Sequence, residues 1–298
     1  MLSVKSITEL HQLTGLKSPS HPLISVIDVS QTEVLEEHVG TRGCHDLYVI
    51  GLKDKSCGHQ YGRNHYDFDE GVLFFYAPNQ VQTVLSAYSK GDIKGWMIVF
   101  HSDLIRTTNL GKTIGNYSFF NYSVHEALHL SEVEQNSLTD CKNLIEREIL
   151  ERIDNHSQTV ISSTLELLLN LSQRYYERQF NTRSAQNSDY ISQFEDHLRS
   201  YYEGNMFKTD GMPSVEYFAD KMHLSSSYFS DLLKKETGQN AKECINSFII
   251  DKAKTRLLGS TDSVSEIAYE LGFNYPHYFS RLFKSKTGKT PNEFRQLN

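Results

Sequence analysis

Tyr228–Gly238 reads YFSDLLKKETG, and Tyr278–Gly288 reads YFSRLFKSKTG. One pattern written twice, about fifty residues apart, marks a duplicated structural unit. The match extends upstream: Val215-Glu-Tyr-Phe-Ala219 to Leu224 aligns with Val264-Ser-Glu-Ile-Ala268 to Phe273. Each copy therefore predicts a short helix with a buried alanine, a tight turn and a second helix, over about 214–238 and 263–288. Gly272 suits a left-handed turn residue, whereas His223 at the equivalent place would adopt a positive φ at greater cost. Ser225 and Asn274 are the expected N-caps, each preceded by an apolar residue, Leu224 or Phe273, that can staple onto the first turn. Gly238 and Gly288 are the expected C-terminal stops.

Within the second helices, Tyr228, Phe229, Leu232 and Leu233 correspond to Tyr278, Phe279, Leu282 and Phe283 and predict one buried stripe. The shared letters are thus mainly packing. The opposite face carries Ser226, Ser227, Ser230, Asp231 and Lys234 in the first copy, and Tyr275, His277, Ser280, Arg281 and Lys284 in the second. A helix fits the major groove of DNA, where arginine reads guanine bidentately and hydroxyls reach phosphates or base edges. Two such helices could enter successive grooves roughly 34 Å apart. The stretch from Ala241 to Leu258 would span about 27 Å as a helix and supplies a spacer. These side chains, Asp231 excepted, are the candidate DNA contacts; a carboxylate there repels phosphate unless it accepts from cytosine or pairs with a lysine.

The block Ile267-Ala-Tyr-Glu-Leu-Gly-Phe273, followed by Tyr278-Phe-Ser-Arg-Leu-Phe-Lys284 and Thr287-Gly-Lys-Thr-Pro-Asn-Glu-Phe-Arg295, closely resembles the signature of the AraC/XylS transcriptional regulators. The first copy and the spacer match more loosely. GWMIVFHSDLI from Gly95 and YSFFNYSVHEALHLSEVE from Tyr117 resemble the cupin-type N-terminal domain and the start of the helical segment in one branch of that family. The resemblance implies a C-terminal domain of about seven helices with two helix-turn-helix motifs joined by a long helix. It also implies binding to asymmetric promoter sites, a barrel that receives a small effector or a regulatory contact, and helices that dimerise. Two departures matter. Ile249 stands where many members have an arginine, so no phosphate contact is carried onto it, and Gly238-Gln-Asn-Ala241 replaces the usual glycine-proline punctuation.

The rest of the chain fits that plan. Up to about residue 125, Leu23–Val29, Leu47–Leu52, Val72–Tyr76 and Trp96–Phe100 are short, β-branched or aromatic runs separated by turn residues, predicting a small β-barrel or jelly roll. Alternation points Phe74 and Tyr76 to one face and Phe75 to the other. Tyr48, Tyr76 and Trp96 are the candidate residues of an effector cavity, against the plainer reading that such aromatics fill a barrel. Ser131-x-x-Glu134 forms a capping-box pattern. Leu138, Cys141, Leu144, Ile145, Ile149 and Ile153 then follow at helical spacing, and Ile161, Leu165, Leu168, Leu169 and Tyr175 line a second helix. This pair is a candidate dimer face. Asn181-Thr-Arg-Ser-Ala-Gln-Asn-Ser188 reads as a linker, and Tyr190, Ile191, Phe194, Leu198 and Tyr201 as one amphipathic helix.

Composition bounds the function. The chain has 298 residues and a formal net charge of −7, but residues 225–298 hold 11 Lys and Arg against 8 Asp and Glu, leaving about −10 elsewhere. No run is long and apolar enough for a membrane span, and MLSVKSITEL lacks a signal-peptide core, so a cytoplasmic chain is expected. Cys44, Cys57, Cys141 and Cys244 show no CxxC spacing. His38, Cys44, His45, Cys57, His59 and His65 raise a metal site in a cupin enzyme as an alternative, but no HxH triplet supports it, and neither metal nor cofactor is expected. A DNA-repair protein with a reactive cysteine is the other alternative, and it would need a stabilised thiolate. The reading is an α+β multidomain, non-enzymatic transcription regulator of bacterial type. It comprises a cupin-like β domain (1–125), a helical dimerisation segment (126–180), a linker (181–188) and an all-α double helix-turn-helix domain (189–298). Promoter DNA, a small-molecule effector, RNA polymerase and a second copy of the chain are the expected partners.

Overall fold

The computed structural model describes residues 2–54, 71–84, 87–151 and 154–296. They form two compact units, Met1–Arg183 and Ser184–Asn298. The first begins with β1 (Leu2–Val4) and α1 (Ile7–Leu13), followed by β2 (Ile24–Asp28), β3 (Arg42–His45), β4 (Leu47–Asp54), β5 (Gly71–Tyr76), β6 (Gln82–Thr83) and β7 (Gly95–His101). After α2 (Asn109–Thr113) come β8 (Leu128–Leu130), α3 (Glu132–Leu150) and α4 (Ser157–Thr182). A three-stranded sheet has the order β1-β3-β6, and an antiparallel five-stranded sheet has the order β2-β7-β4-β5-β8. The four expected strands are all present. β8 corrects the expected boundary, because the sheet continues past residue 125 into the stretch read as helical.

Strand alternation gives the larger sheet two apolar faces. Leu47, Val49, Phe74 and Val99 join Val4, Ile7, Ile27 and Ala127 in one buried cluster. Gly51 belongs to this face because a Cβ there would lie 2.1 Å from the Phe74 ring. The other face carries Tyr48, Phe75 and Phe100, with Tyr48 stacked on Phe100 (5.1 Å) and Phe75 against Phe119 (4.3 Å).

The Ser131 and Glu134 capping box opens α3 as expected, with Ser131 Oγ accepting from the Glu134 N–H. Leu138, Cys141, Ile145 and Ile149 are buried, but Leu144 is not; it lies one residue off that stripe. On α4, Ile161, Leu165, Leu168 and Leu169 are buried as expected, while Tyr176 rather than Tyr175 turns inward, packing on Phe119 and Tyr122. The end of α4 closes the β8 edge. Gln179 Nε2 donates to the Ala127 carbonyl (3.2 Å) and its Oε1 accepts the His129 N–H (2.8 Å), so one side-chain amide replaces a missing strand. Arg178 adds a bond to the His129 carbonyl (2.6 Å) and an ion pair with Glu134 (2.7 Å).

The second unit is α5 (Ser184–Glu203), α6 (Phe207–Asp210), α7 (Val215–Lys221), α8 (Ser226–Thr237), α9 (Ala241–Gly259), α10 (Val264–Glu270), α11 (Pro276–Thr287) and α12 (Pro291–Arg295). The expected linker 181–188 is corrected in form. The division between units falls inside it, yet it is helical to Thr182 and again from Ser184. It contains neither glycine nor proline to stop a helix, and Asn187 is buried with its Nδ2 donating to Glu236 Oε1 (2.9 Å). α5 presents Phe194 to Phe218 of α7 and Phe229 of α8, both at 5.2 Å.

Candidate nucleic-acid interface

The duplicated stretches fold into two copies of one motif, α7–turn–α8 and α10–turn–α11. Ala219 and Ala268 are fully buried, and their carbonyls accept from the Leu224 and Phe273 N–H at 2.9 and 3.0 Å. His223 takes φ +56° and Gly272 φ +87°, so both turns use the left-handed conformation although only one has glycine. A Cβ on Gly272 would lie 2.8 Å from the Gly211 backbone, so that position also serves a close approach. Gly238 and Gly288 end α8 and α11 in left-handed conformation, at φ +76° and +75°.

Capping separates the copies. Ser225 caps α8, its Oγ accepting from the Tyr228 N–H (3.2 Å). Asn274 does not cap α11; Tyr275 does, without a side-chain bond, because Pro276 occupies the first helical position. That proline, favoured there by its fixed φ and missing N–H, was the available signal. Capping boxes at Ser263/Glu266 and Thr290/Glu293 hold α10 and α12, and backbone hydrogen bonds from Ser263 and Thr290 keep both carboxyls below the usual range.

α9 is the spacer between the motifs. Its 19 residues rise about 28 Å. It packs against α8, α10, α11 and α12, with Ile245, Ile249, Ile250, Ala253 and Leu257 buried. Ile249 is therefore core. Arg295 of α12 clamps the far end, donating to the carbonyls of Leu257 (3.3 Å) and Asp262 (2.5 Å).

On α8, Ser226 and Lys234 are exposed and Ser227 is half-buried. Ser230 is engaged elsewhere, its Oγ accepting from the Ala241 N–H (3.4 Å) at the start of α9. On α11, Tyr275, His277, Arg281 and Lys284 are exposed and Ser280 is half-buried. Tyr278 corrects the expected stripe: it is 55% exposed, whereas its counterpart Tyr228 is 3% exposed. Both second helices pack on α9; α8 is also packed by α5 and α7, and α11 by α10 and α12.

A helix-turn-helix domain family matches residues 218–297. The C-terminal unit is a helix-turn-helix domain of the AraC/XylS type. An uncharacterized HTH-type transcriptional regulator, YfiF of Bacillus subtilis, is 30% identical over 156 residues, 52% of this chain and 45% of its own. The transcriptional activator RhaS of Escherichia fergusonii is 37% identical over 83 residues, 28% of this chain and 30% of its own. AdaA of B. subtilis, a bifunctional transcriptional activator and DNA repair enzyme, is 32% identical over 107 residues, 36% of this chain and 49% of its own. The chain spans about half the length, or less, of the curated relatives it matches.

The candidate effector residues are not brought together. Tyr48 and Trp96 share one face of the larger sheet, where Tyr48 meets Phe100 and Phe120 and Trp96 Nε1 donates to Thr139 of α3 (3.3 Å). Tyr76 pairs with Val49 and packs on Phe74 at the opposite face. Alternation along each strand was readable, but the register between strands was not. A cavity of about 470 Å³ lies elsewhere in the N-terminal unit, lined by residues of α1, β2 and the end of α3, among them His11, Ser25, Asp28 and Glu146. His11 is buried in its wall, bridging the Lys17 carbonyl and Ser25 Oγ (2.9 Å).

Among the described residues no group of three or more His, Cys, Asp or Glu could hold a metal ion, and no helix is long and apolar enough to cross a membrane. Cys57, His59 and His65 lie outside the described residues. Burial pushes the Cys141 and Cys244 thiols above their ordinary range, the opposite of what a reactive thiolate needs.

Proposed function

We propose that this chain is a cytoplasmic transcription regulator that binds promoter DNA sequence-specifically through α8 and α11. One observation carries the reading: two copies of the same helix–turn–helix stand on one shared spacer helix, with polar and basic side chains left on the outward faces. A 28 Å spacer suits helices entering successive major grooves about one turn apart. The two faces differ residue by residue, with Asp231 against Arg281 and Ser226 against Pro276, so one subunit would read an asymmetric site.

The two-sheet N-terminal unit is a cupin-like jelly roll in this reading and holds the control function. Its cavity, lined by apolar residues such as Ile27 and Ile149 as well as His11, Ser25, Asp28 and Glu146, supports a small-molecule effector, which would act only as far as it binds one arrangement of the chain better than another. α3 and α4 are the proposed dimer face, supported by exposed Val133, Leu144, Leu150, Val160 and Leu167. RNA polymerase is the proposed partner at the promoter.

Selection of bound sites from random duplex DNA by the full chain tests the proposal. Enrichment of an asymmetric site with two conserved segments about one helical turn apart is expected. No enrichment, or stoichiometric zinc or iron in the purified protein, would return the enzyme readings.

A further inference from the structure

We infer that the start of α11 is a thymine reader: Tyr275 and Tyr278, braced by His277, contact the 5-methyl group of thymine in the major groove beside the base pair read by Arg281. This rests on the DNA-binding reading above and adds the base class that this part of the site recognises.

Three aromatic rings meet at the first turn of α11. The His277 and Tyr278 centroids are 4.2 Å apart, Tyr275 and His277 5.7 Å, and Tyr275 and Tyr278 5.9 Å. Yet Tyr275 is 59% exposed and Tyr278 55% exposed, so the cluster packs on itself and leaves its outer surface to solvent. Core formation does not account for it, since the equivalent Tyr228 is buried. Pro276 at the first helical position fixes the backbone under the rings, so little conformational freedom remains to be lost on contact.

Position and charge select the occupant. His277 precedes Arg281 by four residues and Tyr278 by three, so all lie on one side of the helix, about one turn apart. The exposed Lys284 continues the same face, and Lys286 lies in the same last turn. An apolar tip on a basic helix therefore faces a polyanion. In a helix-turn-helix the N-terminal residues of the second helix approach the base edges. The major-groove floor offers them a single apolar group, the thymine methyl. Along the helix Arg281 lies about 5–6 Å beyond Tyr278 and His277 and about 9 Å beyond Tyr275, which corresponds to roughly one to three base-pair steps.

Replacing each thymine of the selected site singly by deoxyuridine removes the methyl and leaves every hydrogen-bonding group in place. With the full chain, one or two positions within three base pairs of the one whose preference Arg281→Ala relaxes should lose affinity about fourfold. Tyr275→Ala/Tyr278→Ala should bind thymine and deoxyuridine equally there. Tyr275→Phe/Tyr278→Phe should keep the difference, which also guards against a misfolded alanine variant. Specific binding by the unaltered protein with no methyl-sensitive position near Arg281 would overturn the inference and leave the DNA-binding reading intact. So would a phenylalanine variant that binds the thymine and deoxyuridine duplexes alike, which would make the tyrosine hydroxyls and not the rings the contacting groups. Loss of all sequence preference in the unaltered protein would remove both.

Discussion

Gly272 and His223 occupy the same turn of the two motifs, and both adopt positive φ. The sequence alignment of the copies showed this need, because the glycine in one copy marks what the other must also do. It could not show that Gly272 is further restricted by the Gly211–Met212 backbone, which no local pattern encodes. The two positions should therefore respond unequally. Gly272→Ala combines a left-handed alanine, costing about 1 kcal/mol, with a contact against backbone that cannot rotate away; a loss on the order of 2–3 kcal/mol is expected. His223→Gly relieves strain but frees the unfolded chain, and should change stability by less than about 1 kcal/mol. Urea unfolding followed by far-ultraviolet circular dichroism checks both. Equal effects at the two sites would mean that the turn, and not the neighbouring backbone, sets the cost. Tyr278 teaches the complementary lesson: its letter matches Tyr228, yet it is exposed where Tyr228 is buried, a difference that the repeated letters do not encode.

Among the elements, those defined by local chemistry were the legible ones: the strands by composition, α3 by its capping box, and the second helices by apolar spacing and closing glycines. Pairing between distant segments was not, and for that reason Tyr48 and Tyr76 were grouped although they lie on opposite faces. Gln179 shows how such information hides. A glutamine near the end of a helix looks unremarkable, but it bonds both ways to the buried, unpaired edge of β8 fifty residues earlier. Gln179→Leu keeps the bulk and leaves the Ala127 carbonyl and His129 N–H buried without that partner. Destabilisation on the order of 2 kcal/mol is expected. Trp96 is the chain's sole tryptophan and lies in the same unit, so its fluorescence isolates this transition from that of the helical unit. An unchanged urea midpoint by tryptophan fluorescence would show that water replaces the amide at no cost.

Over the whole molecule, the acidic balance sets a problem for binding DNA. A chain of net charge −7 approaches a polyanion with repulsion from most of its length, and the excess of basic residues beyond residue 225 must outweigh it at short range. Screening makes that balance depend on distance: charges farther from DNA than about 8–10 Å at 0.1–0.15 M salt contribute little, so the contacting cations dominate. If the exposed Lys284 of α11 contacts a phosphate, as proposed, it is then worth more than its share of the net charge. Lys284→Ala should lower affinity by a similar factor for the selected site and for random duplex, and should reduce the slope of log affinity against log salt by about one. The uniform loss separates it from Arg281, whose removal should relax preference at one base pair and cost about 1–3 kcal/mol. A salt slope unchanged by Lys284→Ala would place the lysine outside the interface and move the approach of α11 toward its aromatic tip.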